Sequence, residues 1–316
     1  MKTKRKFKIK INPLSAILFV ILLAYAFSML FTLLWGFMTS LKHFTNFRVD
    51  AVGFPDFSYW TNSTIEGEDK WYSNYVYAWK RFEFKLSITY FEGIFNPTRV
   101  SHRVTATFLS SLGNTLLYAG GSSVLITFTS CITAYMCSKY RNHFSKIVYA
   151  VVVFVLVLPL FGTTPAMITL LRQLRLYDSH IGMWITSISF ANMYFLIFHA
   201  SFQGVSDTYA EAAEIDGASQ FRILVSIELP LVSKMIATSI LLHFVTYWND
   251  YNTSLLYLRT KPTLAYAVYR ASQVSFGGQT PKKVAALMML AMPVLILFVI
   301  FKDKFMGNVS LGGLKE

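Results

Sequence analysis

The chain has 316 residues, of which 54% are hydrophobic, 16% aromatic and only 14% charged. This composition lies outside the range of soluble globular domains. A formal charge of +13 could indicate nucleic-acid binding, but the 29 lysines and arginines are clustered between long uncharged stretches. The sequence therefore predicts a membrane protein, and we expect no nucleic-acid partner.

Six nearly charge-free stretches are long enough to cross a bilayer as helices, since a membrane core about 30 Å thick needs roughly 20 apolar residues. They are Leu14–Leu41, Val104–Ser138, Ile147–Leu171, Ile181–Ser206, Met235–Leu258 and Val284–Phe301. The first is too long for a removable signal peptide. Six basic residues precede it, so the positive-inside rule predicts a cytoplasmic N-terminus. An even number of spans then returns the C-terminus to the same side.

These spans predict an all-α integral membrane protein with six transmembrane helices. The predicted parts are a basic cytoplasmic N-terminus (1–13), a first transmembrane helix (14–40), an extracytoplasmic segment (41–103), a transmembrane core (104–305) with an inner loop at 204–230, and a cytoplasmic tail (306–316).

The outer segment contains too many aromatic residues to be a disordered linker, with 16 between residues 41 and 105. An apolar stripe at helical spacing is formed by Tyr72, Tyr75, Val76, Trp79 and Phe82. It predicts a helix from about Trp71 to Phe84. This helix could lie on its own bundle or at the membrane interface, or it could present a docking surface to an external partner.

Two spans carry residues that shape helix packing. Span two contains small residues that allow helix backbones to come close, namely Gly113, Gly120, Gly121, Ser122 and Ser123. Span three contains Pro159 and Pro165 around Gly162, so we expect its backbone to be kinked or interrupted there.

Polar groups inside apolar stretches are the candidates for a substrate path. Asp250 lies near the outer end of span five, where an ionisable group is either functional or a structurally paired carboxylate. Tyr247 and Asn249 are its polar neighbours, and Asn192 and Tyr194 lie in span four. Asn192 and Tyr194 are also explained by hydrogen bonds between helices, and His199 and His243 by ordinary packing.

The loop between spans four and five is unusually acidic for an inner loop, with five acidic residues against Arg222 alone. Thr208 and Glu211 have the spacing of a capping box, and Gly217 is placed to end a short helix. A second helical piece around Phe221–Ile227 follows, and Pro230 is placed to open span five. The loop therefore predicts two short helices against the inner membrane face.

This loop resembles the EAA loop of the membrane subunits of ATP-binding-cassette importers. The matching elements, in order and at the expected spacing, are Glu211-Ala212-Ala213, Gly217, Ile227 and Leu229-Pro230. Further segments are similar to permeases of the maltose-importer type: Asn74-Tyr75-Val76-Tyr77-Ala78, Asn114-Thr115-Leu116, Trp248-Asn249-Asp250 and the tail Gly312-Gly313-Leu314-Lys315. The resemblance covers nearly the whole chain from Leu14, and the long aromatic outer segment is its main departure.

The resemblance implies a type I importer fold and a carbohydrate permease that works by alternating access in the bacterial cell membrane. Its implied partners are a second homologous permease subunit, a dimer of cytoplasmic ATPases and an extracytoplasmic solute-binding protein that delivers a sugar or oligosaccharide. Coupling to the ATPase would fall on Glu211, Ala212, Ala213 and Gly217. Membrane lipid surrounds such a protein, and the partner permease can supply much of the sugar contact.

Catalysis by this chain is not indicated. The phosphate-binding pattern G-x-x-x-x-G-K-[ST] is absent from the sequence, as are common hydrolase motifs and metal-ligand spacings. We therefore expect no cofactor on this chain, with ATP and magnesium held by the partner ATPase. The alternatives are an ion-coupled secondary transporter, which commonly shows inverted repeats and midplane charges, and an integral-membrane enzyme.

Overall fold

The computed structural model describes residues 13–62, 70–92, 98–140, 142–158, 162–274 and 279–306. The basic N-terminus, Pro159 and the predicted tail motif at 312–315 lie outside these residues. The chain divides into two compact units, Met1–Lys80 with Phe276–Met289 and Arg81–Ser275 with Leu290–Glu316.

The first unit begins with a long apolar helix. Its elements are α1 (Pro13–Ser40), α2 (Phe44–Val49), α3 (Ser58–Thr61) and most of α4 (Ser73–Arg81), together with the first part of α16 (Thr280–Met306). Apolar side chains are exposed along α1, and its buried residues, Gly36, Thr39 and Ser40, lie in the last two turns. Exposed leucine and phenylalanine along a helix of this length are typical of a membrane span.

Short hydrogen bonds fold the chain after α1 back onto its end. The Asn74 side-chain amide donates to the carbonyl oxygens of Ser40 (2.9 Å) and Lys42 (2.8 Å), and the Trp60 indole donates to Leu41 O (3.0 Å). The Asp50 carboxylate accepts the N–H groups of Gly53 and Val52, and these bonds hold the pKa of Asp50 below its usual value. The outer segment is therefore structured where the structure describes it.

Helix α4 confirms the predicted helix in the outer segment, although it begins at Ser73 and ends at Arg81 rather than running from Trp71 to Phe84. Within α4 the small and polar residues Ser73, Asn74 and Ala78 are buried, whereas Val76 and Trp79 of the predicted stripe are exposed. Phe82, the last member of the stripe, is buried just after the helix, so the stripe is exposed along α4 at Val76 and Trp79 and covered at its end.

The second unit begins with an antiparallel hairpin that the sequence analysis does not predict. Strand β1 (Phe84–Glu92) pairs with β2 (Thr98–Ala106), with Phe84 opposite Ala106 and Glu92 opposite Thr98. The hairpin corrects the predicted start of span two, because Val104 belongs to β2. The helix begins instead at Phe108, where Thr107 and Ser110 form a capping box.

Helices form the rest of the second unit. They are α5 (Phe108–Lys139), α6 (His143–Val157), α7 (Thr163–Gln173), α8 (His180–Ser187), α9 (Met193–Gln203), α10 (Thr208–Ile215), α11 (Gln220–Ile223), α12 (Leu229–Leu231), α13 (Ser233–Trp248), α14 (Asn252–Leu256), α15 (Leu264–Val274) and the remainder of α16. Helix α5 packs against α8, α9, α13 and α15, so it is the central helix of this unit.

Three described helices are individually long and apolar enough to cross a membrane: α1, α5 and Thr280–Leu297 of α16. The bent pair Gln220–Leu231 and Ser233–Trp248, with 72° between its halves, makes a fourth if it counts as one span. The remaining two predicted spans correspond to helix pairs, α6 with α7 and α8 with α9. The expected interruption of span three is confirmed, since α6 ends at Val157 and Gly162, in the left-handed conformation (φ 76°), directly precedes α7.

Close packing around α5 is confirmed at one of its three predicted glycines. A Cβ added at Gly121 would overlap the indole of Trp184, whose Nε1–H donates to Leu117 O (2.9 Å). The space around Gly113 and Gly120 is open. Ser122 and Ser123 of the same helix are fully buried, as small residues at helix interfaces commonly are.

Among the described residues of the second unit, two buried clusters lie toward the two ends of α5. Near the Lys139 end the buried members are Cys131, Ala134, Tyr135, Val152, Phe195, Phe198, Phe202 and Val232. Nearer the Phe108 end they are Tyr118, Leu171, Met183 and Leu258. Of the candidate functional residues, Tyr194 packs against the first cluster and Tyr247 against the second.

Candidate functional site

The loop at 204–230, which is called the coupling loop below after its predicted role, contains the exposed helix α10. Glu211 and Ala212 are exposed and Ala213 is partly buried. Glu211 lies in the first turn, where a carboxylate interacts favourably with the helix dipole. The predicted capping box is wrong: Asp207 precedes the helix without a side-chain cap, and the Thr208 hydroxyl contacts the Ser206 hydroxyl (2.8 Å).

Gly217 ends α10 as the sequence predicts. It has φ 79°, its N–H donates to Glu214 O (3.0 Å), and the N–H of Ala218 donates to Ala213 O (2.9 Å). These two bonds make a Schellman motif, in which a left-handed residue closes the helix and satisfies its last carbonyl groups. The chain therefore reverses at a residue whose backbone conformation favours glycine.

Large exposed apolar side chains lie in the sequence before and after this turn. The exposed fraction is 87% for Ile215, 75% for Phe221 and 57% for Tyr209. Three large exposed apolar side chains within 13 residues of one loop are typical of an interaction surface. The coupling loop thus presents an acidic and apolar surface built on a short, firmly ended helix.

The second half of the loop is one helical piece with a wide turn in its middle. Helix α11 continues through a π-helical turn at Leu224–Glu228 into α12, and the N–H of Leu229 reaches Leu224 O. Pro230 has no N–H, and its ring would crowd an ordinary helical turn before it. The prediction that Pro230 opens span five is wrong, because the chain bends at Val232 and α13 begins at Ser233.

Lys139, the last residue of α5, contacts both ends of the coupling loop. Its ammonium lies 2.9 Å from Val205 O, 3.0 Å from the Asp207 carboxylate and 3.2 Å from the Glu228 carboxylate. Two of the acidic residues that make the loop unusual are thus paired with a cation from a neighbouring helix.

A second contact ties the middle of the loop to the residue after α5. The Tyr140 hydroxyl contacts the Gln220 amide oxygen (2.8 Å), and the Gln220 amide nitrogen donates to the Glu214 carboxylate. Glu214 is therefore also held within the protein. The sequence analysis missed Lys139 and Tyr140, and the signal that could have found Lys139 is a cation at a span end beside an acidic loop.

The two candidates from span four have structural contacts. Asn192 precedes α9, where its side-chain oxygen accepts the N–H of Phe195 (3.2 Å) and its nitrogen donates to the Ser130 hydroxyl of α5 (2.6 Å). The predicted hydrogen bond between helices is thus confirmed for Asn192. The Tyr194 ring lies 4.2 Å from the His243 ring, centroid to centroid.

His243 belongs to a buried polar group between α5 and α13. Its Nδ1 lies 3.2 Å from the Thr127 hydroxyl and 3.4 Å from the Ser239 hydroxyl. His199 packs against the ring of Tyr149, with 4.8 Å between centroids. Both histidines have the packing roles that the sequence analysis expects of them.

The candidates from span five gather near Tyr118 of α5. The Tyr118 hydroxyl donates to one oxygen of Asp250 (2.9 Å), and the other oxygen accepts the N–H groups of Asn252 (2.9 Å) and Thr253 (3.2 Å). The Tyr247 ring packs edge-on against Tyr118 at 5.4 Å. Asn249 is exposed, and its side chain donates to Val245 O one turn earlier (2.9 Å). Asp250 is therefore structurally paired, and Tyr118 is the partner that sequence reasoning missed.

The structure thus brings the predicted residues together in two places. Glu211, Ala212, Ala213 and Gly217 share the surface of the coupling loop. Tyr247 and Asp250 meet at Tyr118, whereas Asn192 and Tyr194 lie beside other parts of α5, near Ser130 and His243. Among the described residues, no three His, Cys, Asp or Glu side chains are grouped as metal ligands.

Comparison with known proteins finds relatives that are described as permease proteins. The chain is 23% identical over 209 residues to the melibiose/raffinose/stachyose import permease protein MelC of Bacillus subtilis (strain 168), covering 65% of this chain and 76% of the relative. It is 28% identical over 219 residues to the galactooligosaccharides transport system permease protein GanQ of the same organism, covering 66% and 73%. It is 24% identical over 243 residues to the inner membrane ABC transporter permease protein YcjP of Escherichia coli (strain K12), covering 72% and 80%.

A solved structure shares the fold over almost the whole chain. One chain of a bacterial ABC transporter involved in the import of the acidic polysaccharide alginate matches with a TM-score of 0.69 at 20% identity, covering 95% of this chain and 99% of that chain. This likeness confirms the predicted importer-permease fold. The family model for the binding-protein-dependent transport system inner membrane component matches residues 126–305, more than half of the chain and including the whole coupling loop. The chain therefore belongs to the family of binding-protein-dependent transport system inner membrane components.

Proposed function

We propose that this chain is the permease subunit of an ATP-binding-cassette importer that carries a sugar or oligosaccharide across the bacterial cell membrane. Family membership supports the transport function. The carbohydrate class is supported by relatives described as permeases for melibiose, raffinose, stachyose and galactooligosaccharides. The acidic polysaccharide of the structural neighbour extends the range of saccharides worth testing.

In this proposal the chain pairs with a second, homologous permease subunit to form the translocation path. A solute-binding protein delivers the saccharide to the outer face, and a dimer of ATPase subunits docks on the inner face. The chain binds no cofactor itself, and ATP and magnesium are bound by the ATPase. The N and C termini and the coupling loop lie in the cytoplasm, as the basic N-terminus predicts.

The observation that carries the proposal is the exposed surface of the coupling loop. Glu211 offers a carboxylate, Ala212 leaves room for close approach, and Ile215 and Phe221 add apolar area that this chain does not cover. Such a surface suits a groove with a basic group and apolar walls on an ATPase subunit. The bend at Val232 joins the loop directly to α13, so movement of the loop is passed to a spanning helix.

The residues proposed to line the substrate path are Asn192, Tyr194, Tyr247, Asn249 and Asp250. Tyrosine rings can stack on sugar faces, amide groups can donate hydrogen bonds to sugar hydroxyls and accept them, and a carboxylate can accept them. Asn249 is the most open of the five. We expect replacement of these residues to alter uptake without altering assembly with the ATPase.

The proposal is tested by reconstituting the chain with its partner permease, ATPase and binding protein in proteoliposomes. Uptake of melibiose, raffinose, stachyose, galactooligosaccharides and oligosaccharides of alginate is measured with and without ATP. ATP-dependent uptake of at least one saccharide is expected. Uptake that persists without the ATPase, driven by an ion gradient, would favour a secondary transporter, and ATP-dependent uptake of no saccharide would contradict the carbohydrate assignment.

The coupling assignment is tested with Gly217→Val. A Cβ at Gly217 meets no neighbouring atom within 4 Å, so the strain comes from the backbone, where the left-handed conformation costs about 1–2 kcal/mol for other residues. We expect assembled importer in which uptake per ATP hydrolysed falls. Gly204→Ala is the matched control in the same loop, because φ at Gly204 is −78° and its added Cβ makes ordinary contacts. Normal uptake per ATP in Gly217→Val would contradict the assignment.

A further inference from the structure

Lys139 lies where the coupling loop both leaves and returns to the bundle. Val205 and Asp207 open the loop and Glu228 closes it, and all three contact the same ammonium. We propose that Lys139 is a positioning residue that fastens both ends of the coupling loop to α5, so that displacement of the loop is passed to the central helix. This inference rests on the proposed coupling function of the loop.

The chemistry of the lysine head group fits this role. An ammonium has three N–H donors and no acceptor. The three oxygen atoms around Lys139 lie at 2.9–3.2 Å and come from different places in the chain. Hydrogen bonds to Val205 O and to the Asp207 carboxylate use two of these donors, and the positive charge pairs with the Glu228 carboxylate. The same head group therefore joins α5 to both ends of the loop, which a neutral side chain could not do in this way.

Glu228 makes the attachment difficult to release. Its side chain is fully buried, and a buried carboxylate is costly unless a cation compensates it. The contact with Lys139 is an ion pair at 3.2 Å, while the structure shows no hydrogen bond to either Glu228 oxygen. If the loop moved away from α5, this carboxylate would lose the compensation that Lys139 provides. We therefore expect the loop and α5 to move together.

Helix α5 is the element that can distribute such movement. Beyond Lys139, its side chains bond to the elements that carry the substrate-path candidates. Ser130 accepts from Asn192, Thr127 contacts His243 and Ser239, and Tyr118 donates to Asp250. A shift of α5 thus reaches every described element in which a path residue has been proposed. The bend at Val232 gives α13 a second, separate connection to the loop.

The test compares Lys139→Met, Lys139→Arg and the double variant Lys139→Met/Glu228→Met in the complete reconstituted importer. The probe is the saccharide of the panel above that gives the highest uptake, and the readout is saccharide taken up per ATP hydrolysed. Both rates come from the same assembled complexes, so a loss of folded protein cancels in this ratio. Lys146→Met, which removes an exposed lysine near the start of α6, is the matched control.

We expect the ratio to fall at least about fivefold in Lys139→Met and in the double variant, the lower end of typical coupling between sites. Lys139→Arg keeps the charge and several donors, so its ratio should stay within about twofold of the original. The double variant removes both charges and leaves no uncompensated carboxylate, so it should assemble even where Lys139→Met does not. Asp207→Asn, at a carboxylate that is 52% exposed, provides a milder variant, and its ratio should fall by a smaller factor.

An unchanged ratio in the double variant would overturn the inference, as would an equal fall in Lys146→Met. Should both Lys139→Met and the double variant fail to assemble, an unchanged ratio in Asp207→Asn would overturn it and a reduced ratio would support it. Gly217→Val separates this inference from the proposed function. If Gly217→Val uncouples and the double variant does not, the role of Lys139 alone is wrong; if neither uncouples, the coupling function of the loop is wrong.

Discussion

Two carboxylates lie toward opposite ends of α5 and are stabilised in different ways. Asp250, near Tyr118, accepts three hydrogen bonds from neutral groups, two of them from the backbone that immediately follows it. Glu228, near the other end, is fully buried and is paired with the Lys139 ammonium. Asp250 is held mainly by the backbone of its own segment. The second depends on a cation from another helix, so its stability is linked to the position of the coupling loop.

The largest expected effect follows from removing the cation. Lys139→Met leaves Glu228 buried without its partner and should lower the free energy of unfolding by about 3–5 kcal/mol. Adding Glu228→Met should recover most of this loss. The measurement is unfolding of the purified chain in mixed detergent micelles, followed by tryptophan fluorescence. Equal stability of Lys139→Met and the original chain would show that Glu228 does not depend on Lys139.

A smaller effect is expected for Asp250→Ala. It removes the acceptor for two backbone N–H groups and for the Tyr118 hydroxyl, but that hydroxyl also lies 3.1 Å from the Thr253 hydroxyl. The loss should be about 2 kcal/mol in the same unfolding measurement. Asn249→Ala, at the exposed neighbour, is the control. A loss as large as that of Lys139→Met would remove the distinction between the two carboxylates.

The smallest effect is expected for Tyr118→Phe. It removes one of the three donors to Asp250 and leaves both backbone donors in place. Hydrogen bonds between membrane helices contribute about 0.6 kcal/mol on average and up to about 1.7 kcal/mol, and the loss should lie in this range. A larger loss would mean that Tyr118, and not the local backbone, provides most of the stabilisation of Asp250.

Sequence patterns predict the helical framework well because a membrane imposes strong constraints on length and polarity. The position of Gly217 is also predictable, since a left-handed residue after a short helix strongly favours glycine. The interruption at Gly162 follows from the prolines around it. In these cases the residue type itself determines the conformation of the local backbone.

Other features depend on partners distant in sequence and could not be predicted from local patterns. The stripe of α4 shows that an aromatic face exists, but not which side of the helix the protein covers, and Val76 and Trp79 are exposed. The pairing of Glu228 with Lys139 joins residues 89 positions apart, from two different helices. Asp250 was open to two interpretations because Tyr118, its partner, is 132 residues away.

The β-hairpin and the start of α5 show a third limit of prediction from sequence, which concerns the position of a helix boundary. Val104 continues the apolar pattern of the following span, so hydropathy alone places it in the membrane helix. The strand ends at Ala106 and the helix begins after Thr107, whose cap with Ser110 is a local signal. A search for helix caps as well as apolar windows would have placed this boundary correctly.

The central claim, that residues 204–230 connect this chain to an ATPase, is tested most directly by cross-linking. Ala212→Cys would be made in a chain with Cys131→Ala and Cys137→Ser, because those two are the native thiols. Membrane vesicles containing the assembled importer would be treated with a short thiol-to-amine cross-linker. We predict a product of this chain with the ATPase subunit. Products with the solute-binding protein, or none with the ATPase in transport-active vesicles, would contradict the claim.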